Sequence, residues 1–447
     1  MGDTIVALAT PSGRSGIAVI RLSGPASLEI ARKLTGDKSF SPKPRSASLR
    51  KIVDPDSEQT IDEAVFTYFQ SPQSFTGEDI VEISCHGSPV VIREIIDLCL
   101  KLDARMAEAG EFTLRALANG RLDLSQAEAI RDLIDSQTVA SARLSVRQLS
   151  GEVSHQLQPL KDDLLDVIVL LESALEFVED DLPEYQIDSA RKKLDEISLK
   201  LGSFAETFKA GRLLREGIKV ALVGRPNVGK SSLFNALLGH DRAIVTDIAG
   251  TTRDQLHEKL SIKGIPVSLI DTAGLRETSD TVETIGVERS KRTMADADLV
   301  IVLLDGSREL GFEDEEILAQ TREFTRLVVI NKLDLDRKIH GLNVDSIYIS
   351  AKTGEGLEAL QTSIIEPFSV REVEDSGFLV SDARHHDLLL RARNEVNTSI
   401  GSLIEKRSEE ITLIGLHNAL RYLGEITGET TTEDMLTRIF ATFCIGK

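Results

Sequence analysis

The octapeptide Gly224-Arg225-Pro226-Asn227-Val228-Gly229-Lys230-Ser231 restricts the possible folds of this chain more than any other stretch. It fits G-x-x-x-x-G-K-[ST], follows the apolar run Lys219-Val220-Ala221-Leu222-Val223 and precedes a helical pattern that starts near Ser231. Strand, glycine-punctuated turn and helix in that order make a cradle in which backbone N–H groups converge on phosphate oxygens. Gly224 and Gly229 let the backbone curl, Lys230 brings a cation to the β and γ phosphates, and Ser231 offers a hydroxyl to Mg²⁺. Such a cradle belongs to a mainly parallel, doubly wound α/β sheet. Apolar strand candidates do recur, at Val267 to Ile270, Leu299 to Leu304, Leu327 to Ile330 and Ile347 to Ile349, with helical patterns mostly between them. Gly264, between two strand-like runs, permits one antiparallel hairpin at the sheet's edge.

Three companion motifs follow in order, each at a strand's carboxyl end. Asp271-Thr272-Ala273-Gly274 places a carboxylate where it can orient a magnesium shell and a glycine N–H where it can meet the γ-phosphate. Asn331-Lys332-Leu333-Asp334 ends in a carboxylate able to accept from guanine N1–H and the N2 amino group, a donor pair adenine lacks. Ser350-Ala351-Lys352 lies where it contacts the guanine O6 edge. Upstream, Ile248-Ala249-Gly250-Thr251-Thr252-Arg253-Asp254 suits a switch loop whose threonine hydroxyl reaches the metal only when γ-phosphate is present. This set resembles the translation-factor-related GTPases and disfavours ATP. In Ras-like GTPases a glutamine commonly follows the Asp-x-x-Gly turn and orients the attacking water. Here Leu275 occupies that place, so another group positions water or the protein is a slow switch awaiting an activator. Glu277, Glu283 and Glu288 follow, each read from the residues alone as a solvated helix-face charge sooner than as a catalyst, and the Asn227 side chain either caps the loop or binds a monovalent cation.

The remaining sequence is built differently. Residues 1–118 mix short β-rich runs (Ile5 to Leu8, Ile17 to Leu22, Ala64 to Phe69, Ile80 to Ser84) with Gly, Pro and Ser clusters, which predicts a small α+β domain. Residues 119–215 turn helical, with Leu160, Leu164, Val167, Leu171, Leu175 and Val178 forming one apolar stripe interrupted after Val178 by Pro183 in the acidic stretch Glu179 to Glu184. Residues 216–370 carry the nucleotide motifs. Residues 371–447 begin with the charged connector Arg371 to Asp375 and return to helical periodicity, so the α/β domain is expected to be inserted in a helical one.

With 52 Lys+Arg against 72 Asp+Glu, the net charge of −20 speaks against a general nucleic-acid coat or a polybasic membrane anchor. The absence of Trp argues against a base-stacking platform. Cys85, Cys99 and Cys444 are too few for a disulfide framework, and the early apolar run Ile17 to Ile20 is too short for a signal peptide. No stretch approaches the roughly 18 apolar residues of a membrane span. A cytoplasmic protein without membrane association is expected.

Three further segments, Ser74-Phe75-Thr76-Gly77-Glu78-Asp79, Gly110-Glu111-Phe112-Thr113 leading to Arg121-Leu122-Asp123-Leu124, and Phe443-Cys444-Ile445-Gly446-Lys447, complete a resemblance over essentially the whole chain to the MnmE (TrmE) family of tRNA modification GTPases. The resemblance implies an N-terminal α+β tetrahydrofolate-binding domain that also dimerises the protein, a discontinuous all-α domain and an inserted Ras-like α/β GTPase domain. It implies that the homodimer joins the flavoprotein MnmG, which carries FAD, in a heterotetramer. The complex would place aminomethyl or carboxymethylaminomethyl groups on C5 of the wobble uridine (U34) of tRNA. The carbon would come from 5,10-methylene-tetrahydrofolate, with formyl-tetrahydrofolate as an analogue. By the same resemblance Arg21, Glu78, Arg121 and Lys447 contact folate, Arg121 replacing the lysine often found there. Ser232, Thr246 and Asp247 join the GTP-binding positions. K⁺ falls to Asn227 with oxygens of Thr246, Ile248 and Thr251, Mg²⁺ to Ser231 and Thr252, and the orientation of water to Glu283. Cys444 is placed as a nucleophile or acid/base group. The rival reading is a regulatory GTPase of ribosome assembly that binds RNA without modifying it.

Overall fold

The computed structural model describes residues 2–176, 184–240, 257–271, 294–340, 342, 344–368, 377–405 and 409–446. The loop from Thr246 to Asp254, Thr272 to Gly274, Leu275, Glu277, Glu283, Glu288, Pro183, the connector Arg371 to Asp375 and Lys447 lie outside the described residues. The chain divides into two compact units.

The first unit comprises the residues up to Arg131, Leu149–Ser154 and the residues from Gly424. Its sheet contains β1 (Thr4–Leu8), β2 (Ser15–Ser23), β3 (Ala47–Val53), β4 (Thr60–Phe69), β5 (Ile80–Gly87) and β6 (Ala104–Met106), in the order β3-β4-β5-β2-β1-β6. Only β1 and β6 pair in parallel. The alternating residues Ile20 and Leu22 of β2, with Phe66 and Ile83, are buried on one face against Ile30 and Leu34 of the helix Ser27–Thr35 and Ile95 and Leu98 of the helix Pro89–Lys101. β3 and β6 carry no clear sequence signal. β3 is an edge strand with Arg50 and Lys51 in its middle, and β6 has only three residues.

The chain's last residues belong to this same unit. Phe440, at the end of the helix Glu433–Phe440, and Phe443 pack with Leu124 and Ala127, and Ile445 forms an antiparallel bridge with Ala109. Gly446 has φ +98°, and a Cβ there would collide with the Leu8 carbonyl oxygen, so the position requires glycine.

The second unit joins helices to an α/β sheet. In the helix Glu152–Glu176, Leu160, Leu164, Val167 and Leu171 are all buried, four of the six residues of the expected stripe; the Leu175 side chain and Val178 lie outside the described residues. The helices Glu184–Glu206 and Ala383–Ile404 lie against each other, with the Ser198 hydroxyl donating to Asn397 at 2.6 Å. The sheet contains β7 (Ile218–Val223), β8 (His257–Ile262), β9 (Ile265–Asp271), β10 (Leu299–Asp305), β11 (Arg326–Asn331) and β12 (Ser346–Tyr348), in the order β12-β11-β10-β7-β9-β8. All neighbours are parallel except β8 and β9, whose turn at Lys263 (φ +50°) and Gly264 (φ +83°) has the left-handed backbone of a type I′ hairpin. Each of the seven residues of β10 is buried, so it reads as an unbroken apolar run rather than an alternating one. Arg215, in the helix Phe208–Glu216 that leads into β7, bridges Asp132 (2.7 Å) and Asp382 (2.6 Å), tying the chain's path into the sheet to its path out.

Candidate functional site

β7 lies between β9 and β10, so the chain leaves the sheet in opposite directions on its two sides, and the crevice at its carboxyl end is where ligands bind in such folds. The loop Gly224 to Gly229 fills that position and the helix Lys230–His240 follows it. Asn227 takes φ +63°, a left-handed conformation that asparagine tolerates better than most residues. Lys230 is buried and its Nζ donates to the carbonyls of Gly224 (2.7 Å) and Arg225 (2.8 Å), which keeps the ammonium on the loop it serves. Arg225 is itself anchored by a 2.8 Å ion pair to buried Asp314 in the helix Phe312–Gln320.

Asn331 is the buckle of the site. It is 2% exposed; its Nδ2 donates to the Val228 carbonyl at 2.9 Å and its Oδ1 accepts the Ala351 N–H at 2.9 Å. One side chain therefore joins the phosphate loop, the Asn-Lys-Leu-Asp turn and the Ser-Ala-Lys turn. Gly229 has φ +100° and passes so close that a Cβ would strike the Asn331 amide nitrogen. Asp334 is exposed, and its Oδ1 accepts the Ser350 hydroxyl at 2.7 Å, a bond that holds its carboxyl below the usual range. Lys332 donates to Asp305 at 2.6 Å. Burial alone would raise the Asp305 carboxyl, but Lys332 and Ser307 outweigh it and keep it low. Asp305 and the Arg225–Asp314 pair escaped sequence reasoning. The only local sign of Asp305 is its place at the carboxyl end of a strand in a doubly wound sheet.

Of the residues assigned to folate, Arg21, Glu78 and Arg121 gather around the segment Ser74 to Asp79 of the first unit. Arg121 Nε donates to the Ser74 carbonyl at 3.1 Å, and the Arg21 guanidinium stands 5.8 Å from the ring centres of Phe75 and Phe112 while pairing with Glu82 at 2.7 Å. Glu78 accepts from the Ser23 hydroxyl at 2.7 Å and from Arg115 at 3.1 Å. Arg115, 1% exposed, also binds Glu111 (2.9 Å) and Asp3 (2.8 Å), and Arg105 binds Asp3 and Glu111 in turn. Burial would raise the Glu111 carboxyl, yet Arg105, the Glu108 N–H and Arg115 bring it below its ordinary value. Sequence reasoning missed Arg115; the i, i+4 spacing from Glu111 was its only signal. Burial pushes the Cys85 thiol up to about 11 and the Cys99 thiol up to about 12, whereas Cys444 is exposed.

A doubly wound sheet with this phosphate loop, and with both base-facing turns clasped to it by Asn331, defines a P-loop GTPase. The flanking units narrow the class. The family model described as the GTP-binding protein TrmE N-terminus matches residues 4–121, and that of the MnmE helical domain matches residues 124–444. The chain is 45% identical to the tRNA modification GTPase MnmE of Koribacter versatilis and 44% identical to that of Aquifex aeolicus, in each case over 100% of both chains. Identity to the MnmE of Clostridioides difficile is 41%, over 100% of this chain and 99% of that one. The chain belongs to the MnmE family of tRNA modification GTPases.

Proposed function

We propose that this GTPase is potassium-dependent and works as a homodimer with the flavoprotein MnmG, modifying C5 of the wobble uridine of tRNA with a one-carbon unit from methylene-tetrahydrofolate. The observation that carries the GTP half of this reading is the Asn331 clasp, which sets an exposed, Ser350-aligned carboxylate beside the phosphate loop. A base whose edge satisfies Asp334 is thereby coupled to phosphates held by the loop. Ser231, with Thr252, is positioned by sequence to hold Mg²⁺, which supplies charge neutralisation at the phosphates. Asn227, with Thr246, Ile248 and Thr251, is assigned to K⁺, and Glu283 to the orientation of water. The left-handed backbone at Asn227 suits a side-chain oxygen turned to a ligand role.

For the one-carbon half, the support is the charge of the network around Glu78. Among the described residues, Asp3, Glu78 and Glu111 pair with Arg105 and Arg115 alone, so one negative charge remains unbalanced within this cluster. The adjacent N–H donors of a pteridine edge complement such a carboxylate. Arg21 and Arg121, both against the same segment, fit the anionic remainder of a folate, and Cys444 is the accessible thiol for the carbon transfer. The division at about residues 118, 215 and 370 into folate, helical and GTPase parts belongs to this reading, as does a cytoplasmic location.

Nucleoside analysis of bulk tRNA from a strain lacking the gene tests it. Wobble uridines should lose their C5 groups, and unchanged wobble uridines would reject the modification reading in favour of a regulatory GTPase. GTP hydrolysis by the purified protein should be faster in KCl than in NaCl of equal ionic strength. Equal rates in the two salts would remove the cation from Asn227.

A further inference from the structure

At one edge of the first unit's sheet, a run of twenty residues has a charge opposite to that of the whole chain. From Arg32 to Lys51 there are seven Lys or Arg and one acid, Asp37, a net of +6 in a chain of net −20. Lys33, Lys38, Lys43, Arg45, Arg50 and Lys51 are all exposed, and among the described residues none of them is held in an ion pair. The ribbon runs from the end of the helix Ser27–Thr35 through the connection that follows and onto β3.

Cations on an edge strand can serve simply to discourage another strand from adding there. That role accounts for Arg50 and Lys51, which lie on β3. It does not account for Lys33, Lys38, Lys43 and Arg45, which precede the strand and guard no unpaired ladder. Unpaired, exposed and concentrated, these groups complement a polyanion whose charges are strung along a chain. Arg45 ties the ribbon to a neighbouring segment. Its Nη2 donates to the Gln73 carbonyl at 3.0 Å, and the next carbonyl, that of Ser74, is held by Arg121. The ribbon thus abuts the segment assigned to the one-carbon donor.

We propose that the ribbon from Lys33 to Lys51 is the surface on which the phosphate backbone of the substrate RNA lies, next to the segment Ser74 to Asp79. The inference rests on the tRNA reading above and adds to it a location. Each cation on a phosphate releases a counterion, so binding through the ribbon is steeply salt-dependent.

The test uses the full chain and an unmodified tRNA transcript, with Kd measured from about 50 to 200 mM KCl. The variant Lys43→Glu/Arg50→Glu/Lys51→Glu is compared with Lys192→Glu/Lys200→Glu/Lys209→Glu, which makes the same change in net charge at exposed lysines of the second unit. The ribbon variant should bind at least ~10-fold more weakly, and its log–log salt slope should shrink by roughly 2 to 3, at about 0.7 to 0.9 for each phosphate no longer neutralised. The comparison variant should stay within about twofold of wild type. A neutral version, Lys43→Gln/Arg50→Gln/Lys51→Gln, keeps the test open if charge reversal prevents folding; it should lose the same slope. Equal losses in the ribbon and comparison variants, or no loss in the ribbon variant, would overturn the ribbon and leave the tRNA reading standing. A wild-type chain that binds no tRNA at low salt even with the flavoprotein present would overturn both.

Discussion

Replacing Asp334 by Asn is expected to lower kcat/KM for GTP by roughly 10²- to 10⁴-fold and to make xanthosine triphosphate the better substrate. In the wild-type site Ser350 occupies part of Oδ1, and the remaining lone pairs are free to accept from guanine N1–H and the N2 amino group. An asparagine offers one acceptor and one donor instead. It strands the N2 amino group but matches xanthine, which presents a carbonyl at that carbon. Single-turnover hydrolysis of both nucleotides reads the switch, and an unchanged preference for GTP would remove Asp334 from base recognition. Ser350 holds the wild-type carboxyl below its ordinary range, so the carboxylate stays ionised above pH ~4 and GTP selectivity should be constant from pH 5 to 8.

The second large effect concerns stability. Arg115 is 1% exposed and is the shared partner of Asp3, Glu78 and Glu111. Arg115→Met fills a similar volume but leaves buried carboxylate charge uncompensated, a loss of about 3–5 kcal/mol. At a unit of this size, that is a fall of roughly 6–20 °C in the unfolding midpoint of the first unit. A fall under about 2 °C in differential scanning calorimetry would show that the network does not hold the unit together. Asp3 and Glu111 have folded pKa values below their unfolded ones, so their contribution is fully present above the unfolded values, about 4 to 4.5. It disappears as pH falls through the lower folded values. Wild type should therefore lose this stabilisation only below about pH 4, whereas the Met variant is already weakened at neutral pH.

The two halves of the molecule were legible to different degrees, for physical reasons. β7, β9, β10 and β11 announce themselves because a sheet covered on both faces turns each strand into a short apolar run, and the half-buried edge strand β12 because the Ser-Ala-Lys turn follows it. β3 does not: an edge strand with Arg50 and Lys51 in its middle looks like a loop. The residues that assemble each site were the least visible. Asn331 was legible as a motif member but not as the clasp on Val228 and Ala351, which lie 103 and 20 positions away. Arg115 joins partners as far apart as Asp3 and Glu111, which no local window brings together. Net charge hides local pattern in the same way. The total of −20 averages away the basic run from Arg32 to Lys51.

Placing Phe440, Phe443 and Ile445 against elements from the chain's beginning also fixes an order of events during synthesis. Domains generally fold as they leave the ribosome, the earliest first. Here the phosphate-binding sheet has all its strands once residue 348 has emerged, while the first unit still lacks the residues from Gly424 onward. A segment translated early, Ala109 to Ala127, is the last to be covered. A nascent chain stalled near residue 400 should accordingly protect β7 and β10 from protease while the segment from Ala109 to Ala127, which still lacks Phe440, Phe443 and Ile445, remains cleavable.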